Sequence, residues 1–389
     1  MEPRPIAILG ASGSIGTTTL AVARAHPRLI RVAGLASLRR WRDLVGPAAE
    51  FGVGTVALGD PSAAAEARAS GAFPAGTRIL SGPEGLTEVA CLPEVRTVVS
   101  AVVGTAGLAP TLAALRGGKD VALASKELLV LAGRFVTAAA AQGGGRLLPV
   151  DSEHNALHQL LRGRPRAEVA RLVLTASGGA FRDTPLDRLQ DVTPEEALRH
   201  PSWSMGPKVT VDSATMANKG LEIVEACWLF GVPQERVDVV IHPQSVIHSM
   251  VTLTDGSMQA LLSPPSMAFP IQDCLLQPAR PPCPAPGLDL TKAHSLTMSP
   301  PDPVRYPCLG LARTAAGTGA CAPAAFNAAN EVAVEAFMQG RLRFTGIAEV
   351  VRRTMERGWT QEPASLEDVL TADAEARKAA AQHAATLRI

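Results

Sequence analysis

Residues 6–16 read IAILGASGSIG, and this stretch decides the fold. The apolar run Ile6–Leu9 is typical of a buried β-strand, and the helix-prone segment Thr17–Ala25 follows the glycines. A strand, a glycine-rich turn and a helix in this order indicate a dinucleotide site, because glycines let a pyrophosphate approach the backbone at the helix N-terminus. The spacing is G-x-x-G-x-x-G rather than G-x-G-x-x-G, so an ordinary glycine-rich turn is the alternative.

Short apolar runs and helix-like segments continue to alternate up to residue 150. The further strand-like runs are Val32–Leu35, Thr55–Leu58, Thr97–Ala101, Val121–Ala124 and Leu147–Val150. This alternation predicts an α/β domain over residues 1–150 with a Rossmann-like, doubly wound parallel sheet. Such sheets bind their ligands beyond the carboxyl ends of the strands.

The pattern changes after Val150 and predicts two further domains. A second sheet within a central α+β catalytic domain, residues 151–277, is predicted from Leu172–Thr175, Val237–Ile241, Ser245–Leu253 and Ser257–Leu262. Residues 278–287 read PARPPCPAPG, which is too proline-rich for regular structure, so we expect an extended linker over 278–303. Helical segments such as Ala324–Gln339 predict a helical domain over 304–389.

Composition excludes several classes of protein. The 37 basic and 36 acidic residues nearly cancel and form no basic run, which argues against a nucleic-acid partner. The six cysteines contain no C-x-x-C pair and indicate reduced thiols rather than a disulfide framework. No apolar stretch approaches the roughly 20 residues that span a membrane, and the first residues do not resemble a signal peptide. We therefore expect a cytoplasmic protein with no membrane segment.

The cofactor's identity depends on the residues that follow the second predicted strand. An NAD-specific site offers Asp or Glu about 20 residues after the glycine turn. This chain instead has Leu38-Arg39-Arg40. Because a guanidinium binds phosphate oxygens through a planar fork, two arginines favour the 2′-phosphate of NADP. Two solvated arginines at a loop edge are the alternative.

Two acidic residues follow the last strand of the first predicted sheet. If the backbone stays extended over Asp151-Ser152-Glu153, both carboxylates project to the same side and converge on a cation. Oxygen ligands favour Mg²⁺ or Mn²⁺ over zinc. A solvated acidic loop, or acids that open a helix, is the alternative.

Three later segments contain groups suited to a sugar phosphate. Residues 211–222, VDSATMANKGLE, combine Ser, Asn and Lys donors with a third carboxylate at Glu222. Residues 177–179, SGG, form a small donor-rich turn, whose alternative is an ordinary glycine turn. The polar loop at 200–208 contains Trp203 and is suited to a lid, although a packed surface tryptophan is the usual explanation. His242 and His248 are interpreted as structural histidines rather than metal ligands.

Together these segments resemble the 1-deoxy-D-xylulose 5-phosphate reductoisomerase family over nearly the whole chain. The resemblance is carried by GASGSIG (10–16), SKE (125–127), PVDSEHNA (149–156), SGG (177–179), HPSWSMG (200–206), VDSATMANKGLE (211–222) and FNAANE (326–331). It implies a homodimeric enzyme that uses NADPH and Mg²⁺ or Mn²⁺ to rearrange and reduce 1-deoxy-D-xylulose 5-phosphate to 2-C-methyl-D-erythritol 4-phosphate in non-mevalonate isoprenoid biosynthesis.

The resemblance also implies a role for each matching residue. The metal ligands would be Asp151, Glu153 and Glu222, with Glu225 close behind them. The substrate phosphate would be bound by Ser177, Ser213, Asn218 and Lys219. The rest of the substrate pocket would be lined by Lys126, Ser152 and His200, and covered by Trp203 and Met205. NADPH would be held by Ser12, Gly13, Ser14, Ile15, Leu38, Arg39, Arg40, Ser125, Glu127 and Gly206.

The chain departs from the family's pattern at two places in the cofactor site. Leu38-Arg39-Arg40 stands where the family usually has Gly-Lys-Asn, and Ser125 stands where it has Asn. Two other functions are compatible with the first domain alone. One is another NADP-dependent dehydrogenase of a small phosphorylated aldehyde or ketone, and the other is a nucleotide-sensing module. Neither would use three carboxylates beside a phosphate site.

Overall fold

The computed structural model describes residues 2–203 and 205–387. The chain folds into two compact units, each built from separated segments. The first unit comprises residues 1–128, 134–158 and 266–288, and the second comprises 129–133, 159–265 and 289–389. The predicted division at residues 150, 277 and 303 stays a prediction.

A seven-stranded parallel sheet forms the centre of the first unit. Its strands are β1 (Arg4–Leu9), β2 (Ile30–Ser37), β3 (Thr55–Leu58), β4 (Arg78–Ser81), β5 (Thr97–Ser100), β6 (Asp120–Leu123) and β7 (Leu147–Pro149). Their order is β4-β3-β2-β1-β5-β6-β7, so the direction of winding reverses between β1 and β5. That reversal makes the sheet doubly wound and opens a crevice at the carboxyl end of β1.

Helices connect the parallel strands, as crossovers between parallel strands require. They are α1 (Ser14–Ala25), α2 (Arg42–Glu50), α3 (Pro61–Ser70), α4 (Gly82–Ala90), α5 (Leu108–Arg116) and α6 (Glu127–Gly143), and α7 (Ser152–Leu161) follows the last strand, β7. The core consists of aliphatic side chains such as Ile6, Ile8 and Leu35, all fully buried. The α/β prediction for this region is confirmed, and the six predicted strands are present.

One strand of this sheet was not predicted. β4 lies at the edge of the sheet, and its four residues are exposed or half-buried. An edge strand needs no continuous apolar run, so the hydrophobic pattern gives no signal for it.

The second unit contains a four-stranded mixed sheet. Its strands are β8 (Val169–Ala176), β9 (Val237–Ile241), β10 (Ile247–Leu253) and β11 (Met258–Leu262), in the order β11-β10-β8-β9. β8 and β9 are parallel, whereas β10 runs antiparallel to both β8 and β11. The predicted strand at 245–253 begins two residues later because Ser245 has a positive φ of 52° and belongs to a turn.

The remaining helices complete the two units. They are α8 (Pro194–Ala197), α9 (Pro207–Thr215), α10 (Ala217–Phe230), α11 (Ala268–Leu276), α12 (Pro307–Thr318), α13 (Ala322–Met338), α14 (Phe344–Met355) and α15 (Leu366–Thr386). Only α11 belongs to the first unit, where Ile271, Cys274 and Leu275 join its core. In the second unit Phe181, Phe337 and Phe344 pack edge to face beside the buried Phe326.

Two chemical expectations can be compared with the structure. All six cysteines are free thiols, and burial raises the pKa of Cys227 to about 11 and that of Cys308 to about 12. Among the described helices, none combines the length and the apolar character needed to cross a lipid bilayer.

Candidate active site

The glycine turn at the end of β1 is packed backbone against backbone. Gly10 has a φ of +88°, and a Cβ atom there would lie 2.3 Å from the carbonyl oxygen of Ala101. A Cβ atom on Gly16 would lie 2.3 Å from the carbonyl oxygen of Gly10. No described side chain caps the N-terminus of α1 at Gly13. The first backbone N–H groups of this helix can therefore bind an anion such as a pyrophosphate.

The structure brings the two predicted cofactor segments together. The guanidinium of Arg40 donates a hydrogen bond to the carbonyl oxygen of Ser12, and the hydroxyls of Ser12 and Ser37 lie 2.8 Å apart. Arg39 donates from Nε to Asp60 at 2.7 Å, while 76% of its side chain remains exposed. Leu38 is 48% exposed on the same loop. The guanidinium groups thus lie at the carboxyl edge of the sheet, beside the glycine turn.

The carboxylates after β7 are held in a helical rather than an extended backbone. β7 ends at Pro149 and α7 begins at Ser152, and the N–H of Asn155 donates to the carbonyl of Asp151 at 2.8 Å. The condition of an extended Asp151-Ser152-Glu153 backbone is therefore not met, and the alternative of acids that open a helix describes this segment. Helical backbone is favoured over extended backbone here because the Asp151 carboxylate accepts a hydrogen bond from the N–H of Glu153 at 3.3 Å, which stabilises the first turn of α7.

Lys126 neutralises part of this acidic segment. Its ammonium forms an ion pair with the Asp151 carboxylate, and each side chain is only 9% exposed. Ser152 donates a hydrogen bond from its hydroxyl to the Glu153 carboxylate. Four of the predicted site residues thus lie together at the carboxyl ends of β6 and β7.

Asn155 anchors the acidic segment to α11. Its buried side-chain amide donates to the carbonyl of Pro149 at 3.1 Å and to that of Pro270 at 3.4 Å. The thiol of Cys274 also donates to the carbonyl of Pro149, at 3.2 Å. The start of α7 is therefore fixed by groups of α11 that lie more than a hundred residues further along the chain, the carbonyl of Pro270 and the thiol of Cys274.

Ser177 and His200, predicted as parts of one pocket, contact each other directly. The Ser177 hydroxyl lies 2.9 Å from Nε2 of His200, while Nδ1 of the same ring accepts from the backbone N–H groups of Ser202 and Trp203 at 3.2 and 2.9 Å. Burial lowers the pKa of His200, so the ring is neutral at neutral pH. With Nδ1 accepting, the proton lies on Nε2 and is donated to Ser177.

The Ser177 oxygen accepts a second hydrogen bond, from the N–H of Gly179 at 3.1 Å. Both lone pairs of the oxygen are then used, and its own proton points away from these two donors. Gly178 and Gly179 both have positive φ values, of 85° and 70°. A Cβ atom on Gly179 would lie 2.6 Å from the carbonyl oxygen of Ser213. The Ser177–Gly179 turn thus lies against the C-terminal end of α9.

A left-handed residue joins α9 to α10 and orients the next group of predicted residues. Met216 has a φ of 57° and lies between the two helices. Asn218 and Lys219, in the first turn of α10, both donate hydrogen bonds to the carboxylate of Glu222, which is fully buried. Glu225 is buried one turn further along. An amide and an ammonium beside a carboxylate can bind an anion and a cation next to each other.

The loop of residues 198–206 contains most of the lid predicted over 200–208, whose last two residues, Pro207 and Lys208, lie in α9 instead. Trp203 is half-buried, and its ring lies 6.2 Å from that of His248, edge to face. Ser202 lies within hydrogen-bond distance, 3.1 Å, of the Ser245 hydroxyl. Gly206 directly precedes α9, Met205 is half-buried, and Ser204 lies outside the described residues. Movement of this loop stays a prediction.

Two further predicted cofactor residues lie at the start of α6. The buried Ser125 donates from its hydroxyl to the carbonyl of Val102 at 2.7 Å, so this departure from the family's Asn supports the backbone after β5. Glu127 is the first residue of α6. His242 is fully hydrogen bonded, with Nδ1 near the carbonyl of Thr297 and Nε2 accepting backbone N–H groups, which fits the structural interpretation.

A buried polar group that sequence reasoning missed supports α9. Asp212 is fully buried, accepts from the side-chain amide of Asn330 on α13 at 2.7 Å and forms an ion pair with Lys208 at 3.0 Å. Asn330 lies in the FNAANE segment of residues 326–331, to which the sequence pattern assigns no role. The only signal in the sequence was an acidic residue within a segment of otherwise functional groups.

The order of the first sheet and the glycine turn at its central strand define a Rossmann-like dinucleotide-binding protein. Family models described as 1-deoxy-D-xylulose 5-phosphate reductoisomerase, as its C-terminal domain and as the DXP reductoisomerase C-terminal domain match residues 6–133, 147–230 and 262–379. The chain belongs to the 1-deoxy-D-xylulose 5-phosphate reductoisomerase family. The resemblance seen in the sequence is thereby confirmed.

Relatives in this family match the chain over its whole length. The 1-deoxy-D-xylulose 5-phosphate reductoisomerase of Pseudomonas syringae pv. tomato is 48% identical over 386 residues, 98% of each chain. That of Ralstonia pickettii is 49% identical over 385 residues, covering 98% of this chain and 97% of the relative.

Two solved reductoisomerase structures resemble this chain over almost its full length. The Zymomonas mobilis enzyme in complex with NADPH has a TM-score of 0.92 at 41% identity, covering 99% of this chain and all of the other. A DOX-P reductoisomerase in complex with NADPH, fosmidomycin and magnesium has a TM-score of 0.91 at 41% identity and 98% coverage of both chains.

Proposed function

We propose that this protein converts 1-deoxy-D-xylulose 5-phosphate to 2-C-methyl-D-erythritol 4-phosphate in a reaction that depends on NADPH and a divalent cation. One observation carries the proposal: relatives bearing the name of this reductoisomerase match 98% of the chain at 48% identity. The related structures in complex with NADPH and magnesium support the same pair of cofactors.

Asp151, Glu153 and Glu222 are the proposed ligands of the cation. The chemistry of the donors fits a hard cation, because all three offer carboxylate oxygens and no thiol or imidazole. Glu222 is fully buried, and a buried carboxylate needs positive charge close to it. In the described structure the ammonium of Lys219 lies beside the Glu222 carboxylate, and that of Lys126 lies beside the Asp151 carboxylate. Both Mg²⁺ and Mn²⁺ suit these ligands.

NADPH would bind at the glycine turn after β1. Gly10 and Gly16 leave no room for a Cβ atom, so the backbone itself forms the surface that a pyrophosphate would approach. Residues 12–15 would donate from the N-terminus of α1, and Arg39 and Arg40 would bind the 2′-phosphate. Leu38, Ser125, Glu127 and Gly206 complete the proposed cofactor contacts.

The substrate's phosphate would be bound by Ser177, Ser213, Asn218 and Lys219. Because the Ser177 oxygen already accepts two hydrogen bonds, its proton remains to be donated to a phosphate oxygen. An ammonium has three N–H donors and an amide has two, so Lys219 and Asn218 can contact the phosphate while they remain bonded to Glu222.

The chain's own residues then divide the work of catalysis. When bound, the cation would polarise the substrate's carbonyl oxygen and NADPH would supply the hydride. Lys126 and Ser152 would orient the carbon skeleton, and the neutral His200 would line the same pocket while its Nε2 proton is donated to Ser177. Trp203 and Met205 would exclude water as the loop closes. Phosphate binding supplies energy that can be used at the reacting carbons.

We also propose a homodimer in the cytoplasm. The homodimer rests on the family, and the cytoplasmic location is supported by six free thiols, which a reducing compartment preserves. Mass measurement in solution tests the first, and fractionation of the native cells tests the second.

The proposed reaction is tested by following NADPH absorbance with 1-deoxy-D-xylulose 5-phosphate, with Mg²⁺ or Mn²⁺ and after chelation. We expect oxidation that depends on the metal, with 2-C-methyl-D-erythritol 4-phosphate identified as the product by mass spectrometry. No oxidation by correctly folded protein would instead favour a different NADP-dependent dehydrogenase and a wider search among phosphorylated aldehydes.

A further inference from the structure

The loop of residues 177–184 depends on carbonyl contacts from a distant part of the second unit. The Tyr306 hydroxyl donates to the carbonyl oxygen of Gly178 at 2.9 Å. Arg305, the residue before it, donates from one guanidinium nitrogen to the carbonyls of Phe181 and Thr184, at 2.8 and 2.6 Å. We name the pair Arg305 and Tyr306 the carbonyl clamp. It holds three backbone carbonyls within seven residues of Ser177.

The loop would be poorly determined without these contacts. Gly178 and Gly179 both have positive φ values, and glycine in that region has much conformational freedom. The local contacts are hydrogen bonds from the Arg182 guanidinium to the carbonyl of Ser177, from the N–H of Gly179 to the Ser177 hydroxyl, and from the N–H of Thr184 to the carbonyl of Phe181. Arg182 also binds the exposed Asp183. None of these local contacts binds the carbonyl of Gly178, which accepts its hydrogen bond from Tyr306.

Tyr306 has the properties of an anchor for this carbonyl. It is the only tyrosine of the chain and is 1% exposed. Burial raises its pKa to about 12, so the hydroxyl remains a donor throughout the physiological range. Its ring has few rotatable bonds, which makes the position of the hydroxyl well defined once the ring is packed.

We infer that Tyr306, assisted by Arg305, is a positioning residue for the substrate's phosphate. By fixing the Gly178 carbonyl it keeps the Ser177 hydroxyl and the N–H of Gly179 in the arrangement that leaves the Ser177 proton available to the anion. The inference rests on the proposed phosphate-binding role of this turn. Tyr306 acts through Ser177 and makes no contact with the phosphate itself.

Tyr306→Phe tests the inference because it removes one hydroxyl and keeps the ring. Loss of a single buried hydrogen bond predicts a rise in KM for 1-deoxy-D-xylulose 5-phosphate of about tenfold, with kcat within about twofold. The inhibition constant of inorganic phosphate should rise in the same proportion. The Kd of NADPH should not change, because neither Tyr306 nor Gly178 is among the proposed cofactor contacts.

Trp359→Phe provides a matched control in the same unit. The indole nitrogen of Trp359 donates to the backbone carbonyl of Thr354 at 2.8 Å, so this variant also removes a donor to a carbonyl. It should lower Tm without changing KM or phosphate inhibition. If it raises KM as much as Tyr306→Phe does, the clamp is merely structural and the inference is overturned.

Further outcomes separate this inference from the proposed function. Wild-type KM and phosphate inhibition in a folded Tyr306→Phe variant overturn the inference alone. If that variant does not fold, Arg305→Lys, at a half-buried position, should raise KM in the same way, and an unchanged KM overturns the inference. If the wild-type protein does not turn over the substrate, the proposed function fails. The inference is then tested by titrating wild type and Tyr306→Phe with inorganic phosphate and following ³¹P NMR. Equal phosphate affinity of the two proteins, or no phosphate binding by either, would contradict the role of the carbonyl clamp.

Discussion

His200 illustrates how burial determines the chemical form of a single side chain. Nδ1 accepts two backbone hydrogen bonds, which are possible only while that nitrogen carries no proton. Burial lowers the pKa of the ring, which keeps it neutral at neutral pH. Protonation would direct an N–H at two other N–H groups. The conformation of the 200–203 loop is thus linked to the charge of one imidazole.

This linkage predicts a loss of stability in mild acid. In the unfolded chain the histidine has its usual pKa of about 6.5, so below that pH the unfolded state binds more protons than the folded state. Stability therefore falls as the pH drops from about 6.5 towards the lowered pKa of the folded ring. We expect Tm to fall less steeply in His200→Asn, whose side chain does not titrate, when both proteins are melted between about pH 7.5 and pH 5. Parallel profiles would contradict the prediction.

A second prediction at this scale concerns the proposed metal ligands. Glu153→Gln keeps an acceptor for the Ser152 hydroxyl but removes the negative charge. We expect turnover to be lost while the Kd of NADPH stays near the wild-type value, because the glycine turn is unchanged. Steady-state rates and fluorescence titration with NADPH measure the two effects. The exposed Glu375 on α15 provides the control, and Glu375→Gln should be fully active. Full activity of Glu153→Gln would refute the metal assignment.

Sequence reasoning at the residue scale succeeded where the family resemblance assigned two motifs to one site, and failed for partners outside the motifs. It assigned Ser177 and His200 to the substrate site, and the glycine turn and Arg40 to the cofactor site, and both pairs are in contact. It missed Tyr306, which bonds a carbonyl 128 positions earlier in the chain. Single hydrogen bonds over such separations leave no local pattern, because the residue type alone does not reveal its partner.

Among the elements, α1 depends most clearly on the absence of one side-chain atom, the Cβ of residue 16. Gly16 lies inside this helix, and an added Cβ atom would lie 2.5 Å from the Cα of Ala11. The helix can approach the turn only because this position has no side chain. Proximity of helix and turn is also what exposes the first N–H groups of α1 to an anion.

Gly16→Ala is therefore expected to separate the turn from the helix. Overpacking against backbone atoms should lower the free energy of unfolding by about 1–3 kcal/mol. NADPH affinity should fall by about tenfold or more, because displacement of the first N–H groups of α1 should cost about 1.4 kcal/mol or more of binding free energy. Denaturant unfolding and NADPH titration measure both effects.

Gly310→Ala is the matched control for this variant. Gly310 also lies inside a helix, α12, is followed by Leu311 rather than by proline, and an added Cβ atom would meet nothing within 4 Å. Alanine's higher helix propensity should stabilise the protein by about 0.5–1 kcal/mol and leave NADPH binding unchanged. Equal behaviour of the two variants would contradict the steric argument.

Strands and helices were predictable where their burial produced a recognisable pattern of apolar residues in the sequence. The buried strands of the first sheet appeared as apolar runs, and α13 appeared as a long alanine-rich segment. The backbone at 151–153 was left open between strand and helix because the two elements meet there. An aspartate just before a helix is also a good N-cap, and the local hydrogen bond to Glu153 decided the backbone.

At the scale of the whole molecule, the cores of both units are apolar and independent of any bound group. Aliphatic side chains fill the first, and phenylalanines and alanines fill the second. A divalent cation would thus contribute to stability only through its own binding to the folded state.

Chelation should therefore stop the reaction without unfolding the protein. With excess EDTA we expect no detectable turnover, an unchanged circular dichroism spectrum and a decrease in Tm of only a few degrees, in line with one weakly bound ligand. Addition of Mg²⁺ should restore activity fully. Turnover that persists in EDTA, or cooperative unfolding on chelation, would contradict this prediction.

Tyr306 is the only tyrosine of the chain, so its ionisation can be followed by ultraviolet spectroscopy. Four tryptophans and one tyrosine account for its near-ultraviolet absorption, so any tyrosinate band that develops in alkali comes from Tyr306 alone. Its pKa of about 12 reflects a buried hydroxyl, and exposure of the ring would move ionisation back towards the ordinary value of about 10. An alkaline titration of the intact protein therefore reports whether the ring stays buried, without any label or mutation.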